Sequence, residues 1–225
     1  MDVNKLAAVR SRIAAAATTA GRSPDAVRLV VVSKGRTVDD IAALYDAGQR
    51  DFGENRAQEF AAKVTQLPED IRWHFVGTLQ RNKVRRVRPA VVMLHSLDRM
   101  SLAASWMKGP GPAPPVLLQV HLGAEPTKHG FGPEELIDAG SKVAGMGLDV
   151  RGLMTIPPPA APGGTEPGEW FARLAALGAG LRAVLPGATE LSMGMTDDFE
   201  VAIAHGATIV RIGRAIFGPV PVDRG

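Results

Sequence analysis

The chain of 225 residues contains no cysteine, which excludes disulfides, thiolate zinc sites and a cysteine nucleophile. Aromatic residues are also scarce, and Tyr45 is the single tyrosine. No stretch reaches the roughly 20 apolar residues that a membrane-spanning helix needs. Charged residues interrupt the N-terminal segment, so no secretory signal is expected either. We therefore expect a cytoplasmic protein without a membrane partner.

The charge is only mildly unbalanced, with a formal net value of +3. Five basic residues are concentrated in residues 81–88. No aromatic side chain alternates with them to stack on bases, and a solvated helix face is the simpler interpretation. We expect no nucleic acid partner, no metal and a monomer.

Eight apolar, strand-like runs alternate with amphipathic segments along the chain, which favours βα units and a parallel sheet. This rhythm predicts a single (β/α)8 barrel domain over residues 1–225, with an extra N-terminal helix; a doubly wound open sheet shares much of the pattern. The runs lie at residues 29–33, 50–54, 73–77, 91–96, 116–122, 150–156, 189–194 and 208–213.

The first run ends at Ser33 and is followed by Lys34. Desolvation at the end of an apolar strand would favour the neutral, nucleophilic amine. In a barrel, function gathers at the carboxyl ends of the strands, where this lysine is expected. The next helix is predicted over residues 37–48, with Thr37 as N-cap and Gly48 as its end.

Glycines mark the ends of the last two runs, in SMGMTDDFE at 192–200 and RIGRAIFG at 211–218. Loops after strands seven and eight of such barrels frequently form a phosphate site, in which glycine lets backbone N–H groups approach an anion. Arg214 adds charge to this turn. Taken one by one, these glycines are more simply interpreted as tight-turn residues.

Arg211 interrupts an otherwise apolar strand, and Ile209, Arg211 and Gly213 share one face of it. If Arg211 points into the barrel, its guanidinium needs a ligand atom or an acidic neighbour as acceptor. If it points outwards, it pairs with a helix. The sequence leaves both orientations open.

A strand-end lysine, two glycine turns and an inward arginine together would form an amine-reactive pocket for a phosphorylated aldehyde. Pyridoxal 5′-phosphate (PLP) is such a molecule. Its Schiff base needs a reactive amine, and its phosphate needs backbone donors some distance away.

Four motifs in order, spread over nearly the whole chain, resemble the pyridoxal phosphate homeostasis protein family: SKGRTVDDIAALYDAGQRDFGENRAQE, IRWHFVGTLQRNK, RGLMTIPP and LSMGMTDDFEVAIAHGATIVRIGRAIFG. The resemblance implies a barrel like the N-terminal domain of alanine racemase, with the Schiff base on Lys34 and Arg211 at the pyridine nitrogen. It also implies that Asn55 lines the pocket and that Ser192, Gly194 and Gly213 cradle the phosphate. The implied cofactor-binding residues are Lys34, Asn55, Ser192, Met193, Gly194, Arg211, Gly213 and Arg214.

Four positions depart from the family pattern. Family members usually carry SKT, GHLQ, VN and IGT where this chain has SKG, GTLQ, VH and IGR. The atypical residues are therefore Gly35, Thr78, His121 and Arg214. The hydroxyl missing at position 214 removes one expected phosphate contact, for which the arginine charge compensates in part.

The resemblance implies a PLP-binding regulator or carrier rather than an enzyme, which buffers the cofactor or delivers it to PLP-dependent apoenzymes. A weak amino-acid racemase is the alternative, and a class I aldolase is a third hypothesis, since it also uses a barrel lysine. Two-base racemisation needs a second base opposite the lysine. Tyr45 is expected away from the barrel mouth, which leaves His95, His121 and His129 as spare bases.

Overall fold

The computed structural model describes residues 3–123, 129–158 and 165–219 of the chain. Eight parallel strands form a closed barrel in chain order, in which β1 also pairs with β8. The barrel prediction is confirmed, and closure of the sheet excludes the open alternative. The strands are β1 (Arg28–Val32), β2 (Asp51–Glu54), β3 (Arg72–Phe75), β4 (Met93–Leu97), β5 (Val116–Gln119), β6 (Val150–Met154), β7 (Glu190–Ser192) and β8 (Ile209–Ile212).

Helices surround the barrel, and none in the described ranges is long and apolar enough to cross a membrane. The expected extra helix α1 precedes β1 and packs against α8 and α9. The α-helices are α1 (Asn4–Thr19), α2 (Val38–Asp46), α3 (Ala57–Val64), α4 (Val84–Val87), α5 (Met100–Met107), α6 (Leu136–Gly145), α7 (Pro167–Val184), α8 (Phe199–Ala204) and α9 (Arg214–Phe217). Short 3₁₀ turns lie at Pro24–Ala26, Arg81–Lys83 and Arg88–Ala90.

Helix α2 begins where its capping chemistry predicts. Thr37 Oγ1 accepts a hydrogen bond from the backbone N–H of Asp40 (3.1 Å), and Asp40 Oδ2 accepts one from the N–H of Thr37 (3.2 Å). This reciprocal pair satisfies two N–H groups that a helix start leaves without a backbone partner. The buried Ile41 and Leu44 then place the apolar face of the helix against the barrel.

The core has two layers of different character. A large apolar cluster fills the space between the strands and the helices. Inside the barrel, a smaller cluster consists of Val30, Met93, Leu117, Met154 and Ile209. Buried polar side chains share this interior. Except for Asp51 at the start of β2, their strand positions pair in register with the apolar ones or lie two residues further along the same strand. They are Asp51, His74, His95, Ser192 and Arg211.

Candidate functional site

A cavity of about 460 Å³ opens at the carboxyl ends of the strands, which we call the mouth cavity. Residues that follow β1, β2, β3, β6, β7 and β8 contribute to its wall. Five of the eight predicted cofactor-binding residues line it together. The lining residues are Val32, Lys34, Arg36, Asn55, Val76, Gly77, Thr78, Ile156, Met195, Thr196, Arg211, Gly213 and Arg214.

Lys34 lies in the turn that follows β1, and its side chain is exposed at the wall of the mouth cavity. The expectation of a desolvated lysine is therefore wrong: the strand ends at Val32, so Lys34 lies beyond the buried part of the barrel. Gly35 continues this turn at φ +68°, a left-handed conformation that favours glycine. The departure from the family pattern at position 35 thus coincides with a backbone conformation that suits the residue present.

A buried polar cluster ties together the residues just before Lys34 and Asn55. Glu54 Oε1 accepts hydrogen bonds from Ser33 Oγ (2.8 Å) and from Lys63 Nζ (2.5 Å), and Lys63 also donates to the Ser33 carbonyl (2.8 Å). Burial raises the pKa of Glu54, and the neighbouring Lys63 offsets part of this effect. The cluster fixes the ends of β1 and β2 relative to each other and so sets the spacing of the residues that follow them.

Asn55 lines the cavity, and its side-chain oxygen has no hydrogen-bond donor within the described ranges. This atom, Oδ1, is buried. A Cβ on Gly77 would lie 2.3 Å from the Asn55 carbonyl oxygen, so glycine is needed for the loop after β3 to approach this residue. Because a buried acceptor without a partner is costly, a donor on a bound molecule is expected to face Asn55.

Arg211 points into the barrel, which answers the question that the sequence left open. It is only 4% exposed; its Nη1 donates to Ser192 Oγ (2.7 Å) and its Nη2 to the Thr155 carbonyl (2.8 Å). Burial lowers the pKa of Arg211 to about 10, although the negative charge of Asp198 opposes the shift. The guanidinium therefore stays charged near neutral pH at the inner end of the mouth cavity.

Two buried histidines continue the contacts of Ser192 towards the other end of the barrel. His95 Nδ1 lies 2.8 Å from Ser192 Oγ, and His95 Nε2 lies 2.9 Å from His74 Nδ1. His74 Nε2 lies 3.1 Å from Asp51 Oδ1, at the start of β2. Burial lowers the pKa of both histidines, for His95 well below its usual range. His95 is thus an interior residue and not a base at the mouth.

Three predicted residues of the SMG turn do not line the cavity. The Ser192 side chain faces the barrel interior, and Met193 is fully buried within the outer apolar cluster. Gly194 lies beneath α8, where an added Cβ would be 2.6 Å from the Cβ of Ala202. The side chain of Ser192, the last residue of β7, points inwards, so the described cavity wall begins further along this turn. The phosphate-binding roles of Ser192, Met193 and Gly194 stay predictions.

In the turn after β7, Met195 and Thr196 line the mouth cavity instead. Neither residue was predicted from the sequence. Thr196 Oγ1 accepts a hydrogen bond from the backbone N–H of Ala215 (3.3 Å), which joins the turns after β7 and β8. Its sequence signal was a hydroxyl residue in the glycine turn SMGMT, two positions after Gly194.

Two arginines near these turns are held by contacts. Arg214 lines the cavity, and its guanidinium forms an exposed ion pair with Asp197. Arg36, which sequence reasoning also missed, donates to the carbonyls of Gly218 (2.5 Å) and Pro219 (2.7 Å) and lies over the Phe217 ring. It joins the turn after β1 to the C-terminal segment of the chain.

A second cavity of about 710 Å³ adjoins the first and shares Thr78, Ile156, Met195 and Arg214 with it. Of the atypical positions, Thr78 thus lines both cavities, and His121 lines only the second. His129 lines the second cavity as well, and its Nδ1 lies 3.4 Å from Asp98 Oδ2. Lys128 lies outside the described residues.

The closed parallel barrel has the fold of the alanine racemase N-terminal domain. The model of that family, alanine racemase N-terminal domain, matches residues 5–221. An alanine racemase from Corynebacterium glutamicum superposes with a TM-score of 0.69 at 18% identity, over 98% of this chain and 63% of that one. At this identity the likeness shows the fold alone.

Similar proteins of the same length narrow the assignment. The pyridoxal phosphate homeostasis protein of Escherichia coli K12 is 42% identical over 223 residues, which cover 96% of this chain and 95% of that protein. The structure of PipY from Synechococcus elongatus with PLP bound superposes with a TM-score of 0.81 at 35% identity, over 96% of this chain and 99% of PipY. The chain therefore belongs to the pyridoxal phosphate homeostasis protein family.

Proposed function

We propose that this protein binds PLP as a Schiff base on Lys34 and acts in PLP homeostasis, by buffering the cofactor or delivering it to apoenzymes. The observation that carries the proposal is one cavity that brings Lys34, Asn55, Arg211 and the Gly213–Arg214 turn together. The related PipY, whose structure contains PLP, supports the choice of ligand.

The residues of the mouth cavity fit this cofactor. The volume of about 460 Å³ lies in the range of small-molecule sites. The buried Asn55 Oδ1 has no donor within the described ranges, and a protonated oxygen or nitrogen near the aldehyde end of a ligand would supply one. Lys34 offers an exposed amine at the same wall.

Each group of the protein has a separate task in this proposal. Lys34 would hold the cofactor through its amine, and the aldehyde of PLP would supply the carbonyl for a Schiff base, with water as the leaving group. Since the hydroxyl of Ser192 already contacts Arg211 and His95, we assign the phosphate end to Thr196, Gly213 and Arg214.

Arg211 would hold the pyridine nitrogen in this proposal. Its guanidinium is charged near neutral pH, so it would donate a hydrogen bond to that nitrogen rather than protonate it. PLP with an unprotonated ring is a weaker electron sink for carbanions. An arginine at this position therefore favours a protein that binds the cofactor over an enzyme that forms carbanions from amino acids.

The positions of His95 and Tyr45 favour a carrier over a racemase, whereas His121 and His129 line the adjoining cavity and are left to the exchange experiment below. Both ring nitrogens of His95 contact interior partners, which are His74 and Ser192. The Tyr45 hydroxyl donates to Asp70 (2.6 Å) in the loop before β3, at the opposite end of the barrel. Neither side chain supplies a base at the mouth.

Absorption spectroscopy tests the proposal directly. Purified protein mixed with PLP should develop a visible absorption band, and borohydride should then fix the cofactor on the peptide that contains Lys34. Lys34→Ala should lose the band and keep its melting temperature. Lys142→Ala is the matched control, because Lys142 forms only an exposed ion pair with Asp138 on α6. Protein that shows no band after excess PLP has been removed would refute the function.

Transfer of the cofactor tests the role in delivery. Loaded protein should restore the activity of a PLP-dependent apoenzyme, and Lys34→Ala treated in the same way should not. Incubation with single amino acids in D₂O distinguishes the alternative, since rapid loss of the α-proton signal would show a racemase-type activity that the proposal excludes.

A further inference from the structure

The polar interior of the barrel forms an unbroken series of contacts between its two ends. It starts at Arg211 beside the mouth cavity and passes through Ser192 and His95 (2.7 and 2.8 Å). It continues through His74 (2.9 Å) to Asp51 (3.1 Å), at the amino end of β2. Ser192 and the two histidines are at most 1% exposed, so water does not complete their hydrogen bonds from outside.

The contact between His74 and Asp51 determines which group donates in each of the other hydrogen bonds of the series. Asp51 also accepts from Arg72 at 2.9 and 2.5 Å. Burial alone would raise the pKa of Asp51, but the hydrogen bonds from His74 and Arg72 outweigh it and hold the pKa well below its usual range. A carboxylate only accepts, so His74 Nε2 must carry a proton.

The remaining protons follow one by one for neutral rings. With a proton on Nε2, His74 Nδ1 is an acceptor, and His95 Nε2–H donates to it. His95 Nδ1 is then an acceptor as well, so the Ser192 hydroxyl donates to it and accepts from Arg211 Nη1. Each group thus donates to the next one, from Arg211 through Ser192, His95 and His74 to Asp51. With neutral rings, every other placement of the protons makes two donors or two lone pairs face each other.

We propose that Asp51, His74, His95 and Ser192 are positioning residues that form one directed chain of hydrogen bonds and hold Arg211 in place at the mouth cavity. Chains of this kind strengthen through mutual polarisation, and the carboxylate at the far end partly balances the buried guanidinium. The proposal rests on the proposed function in one respect: it is Arg211 that is to face the PLP ring.

The protonation pattern can be measured without PLP. Long-range ¹⁵N–¹H spectra of the unliganded protein near pH 7.5 should show His74 and His95 as neutral Nε2–H tautomers, with assignments from His74→Gln and His95→Gln. The Nδ1–H tautomer in either wild-type ring would overturn the chain. This result does not depend on whether any cofactor binds, so it is separate from the test of the proposed function.

Substitutions at the far end test the coupling to Arg211. Asp51→Leu removes the acceptor and should change the tautomer of His95, which Asp51 does not contact, and weaken PLP binding about tenfold. Asp51→Asn, whose carbonyl oxygen still accepts from His74, should preserve both properties. Asp149→Leu is the matched control, since Asp149 also pairs with an arginine, Arg151, at the amino end of a strand.

The outcomes separate the two proposals. An unchanged His95 tautomer in folded Asp51→Leu overturns the directed chain while PLP binding by the wild type stands. If Asp51→Leu does not fold, an Nδ1–H tautomer of either wild-type ring overturns it. Changed tautomers with unchanged PLP affinity overturn the positioning of Arg211. A wild type that binds no PLP refutes the proposed function, and the spectra of the unliganded protein still decide the direction of the chain.

Discussion

The two ends of the barrel treat their polar side chains in opposite ways. At the amino end, charged groups pair with one another near the surface: Arg72 with Asp51, and Arg50 with Asp70. Tyr45 joins the second pair through its hydroxyl and its ring. At the mouth, no contact of the Lys34 amine with a described residue is found, and Asn55 Oδ1 likewise lacks a partner within the described ranges.

This difference agrees with the division of labour in such barrels, in which the amino end serves stability and the carboxyl end serves function. The Lys34 amine and the Asn55 side-chain oxygen have no partners of their own among the described residues to hold them, so their positions depend on the residues beneath them. The buried cluster of Ser33, Glu54 and Lys63 provides this support directly beneath the two residues. The mouth has an exposed pair as well, Arg214 with Asp197, but it also has the buried pair of Lys63 and Glu54 below its open surface.

The largest expected effect comes from breaking that buried pair. Lys63→Met leaves Glu54 without its cation in a site where the lysine is 6% and the glutamate 0% exposed. We expect the free energy of unfolding to fall by about 3–5 kcal/mol. Because burial raises the pKa of Glu54, the loss should be smaller at pH 4.5, where the carboxyl takes up a proton, than at pH 7.5.

Denaturant unfolding of Lys63→Met and of Lys142→Met as a control measures this effect. Lys142 pairs with Asp138 on the surface of α6, where both side chains are more than half exposed, so its loss should change stability little. Equal effects of the two substitutions would show that the mouth has no special support.

A smaller effect concerns acid and the histidines between the two ends. Burial lowers the pKa of His74 and His95, so the native rings stay neutral while the unfolded ones bind protons below about pH 6.5. Stability should therefore fall as the pH drops from about 6.5 to 5, by at most about 2 kcal/mol for each ring. The depressed pKa of Asp51 adds a further loss only below about pH 4.

Unfolding free energies at several pH values test this slope. His95→Gln should remove about half of it, whereas His205→Gln should keep it because both interior rings remain. A wild type equally stable at pH 7 and pH 5 would contradict the neutral interior.

The smallest expected effect lies in the turn that carries Lys34. Gly35 has φ +68°, and a β-branched residue there should cost about 1–2 kcal/mol. Gly35→Thr should thus lower the melting temperature more than Gly35→Asn, since asparagine tolerates the left-handed conformation. The two variants differ at the same position, so each is the control for the other, and equal melting temperatures would remove backbone strain as the explanation.

Much of this fold was accessible from sequence because the strand signal is local. All eight predicted runs overlap the observed strands, and the Thr37 cap begins α2 as expected. The glycine turns after β7 and β8 also lie at the mouth. Their lining residues were assigned less well, since the lengths of β7 and of its turn decide whether Ser192 or Thr196 reaches the cavity.

Contacts between distant elements were beyond sequence reasoning. Arg36 binds carbonyls about 180 residues away in the chain, and His95 meets Ser192 across the barrel. Nothing in the local pattern around either residue predicts its partner. The same holds for Lys34, whose exposure depends on where β1 stops and not on the apolar run before it.

The sequence by itself determined the barrel, the order of its strands and the end at which Lys34, Asn55 and Arg214 lie, because alternating apolar runs and glycine turns are encoded residue by residue. Only the tertiary structure decided that Arg211 points inwards, that Ser192 belongs to the interior and that two histidines join it to Asp51. Closing the sheet selects which face of each strand is enclosed, and that choice depends on all eight strands at once.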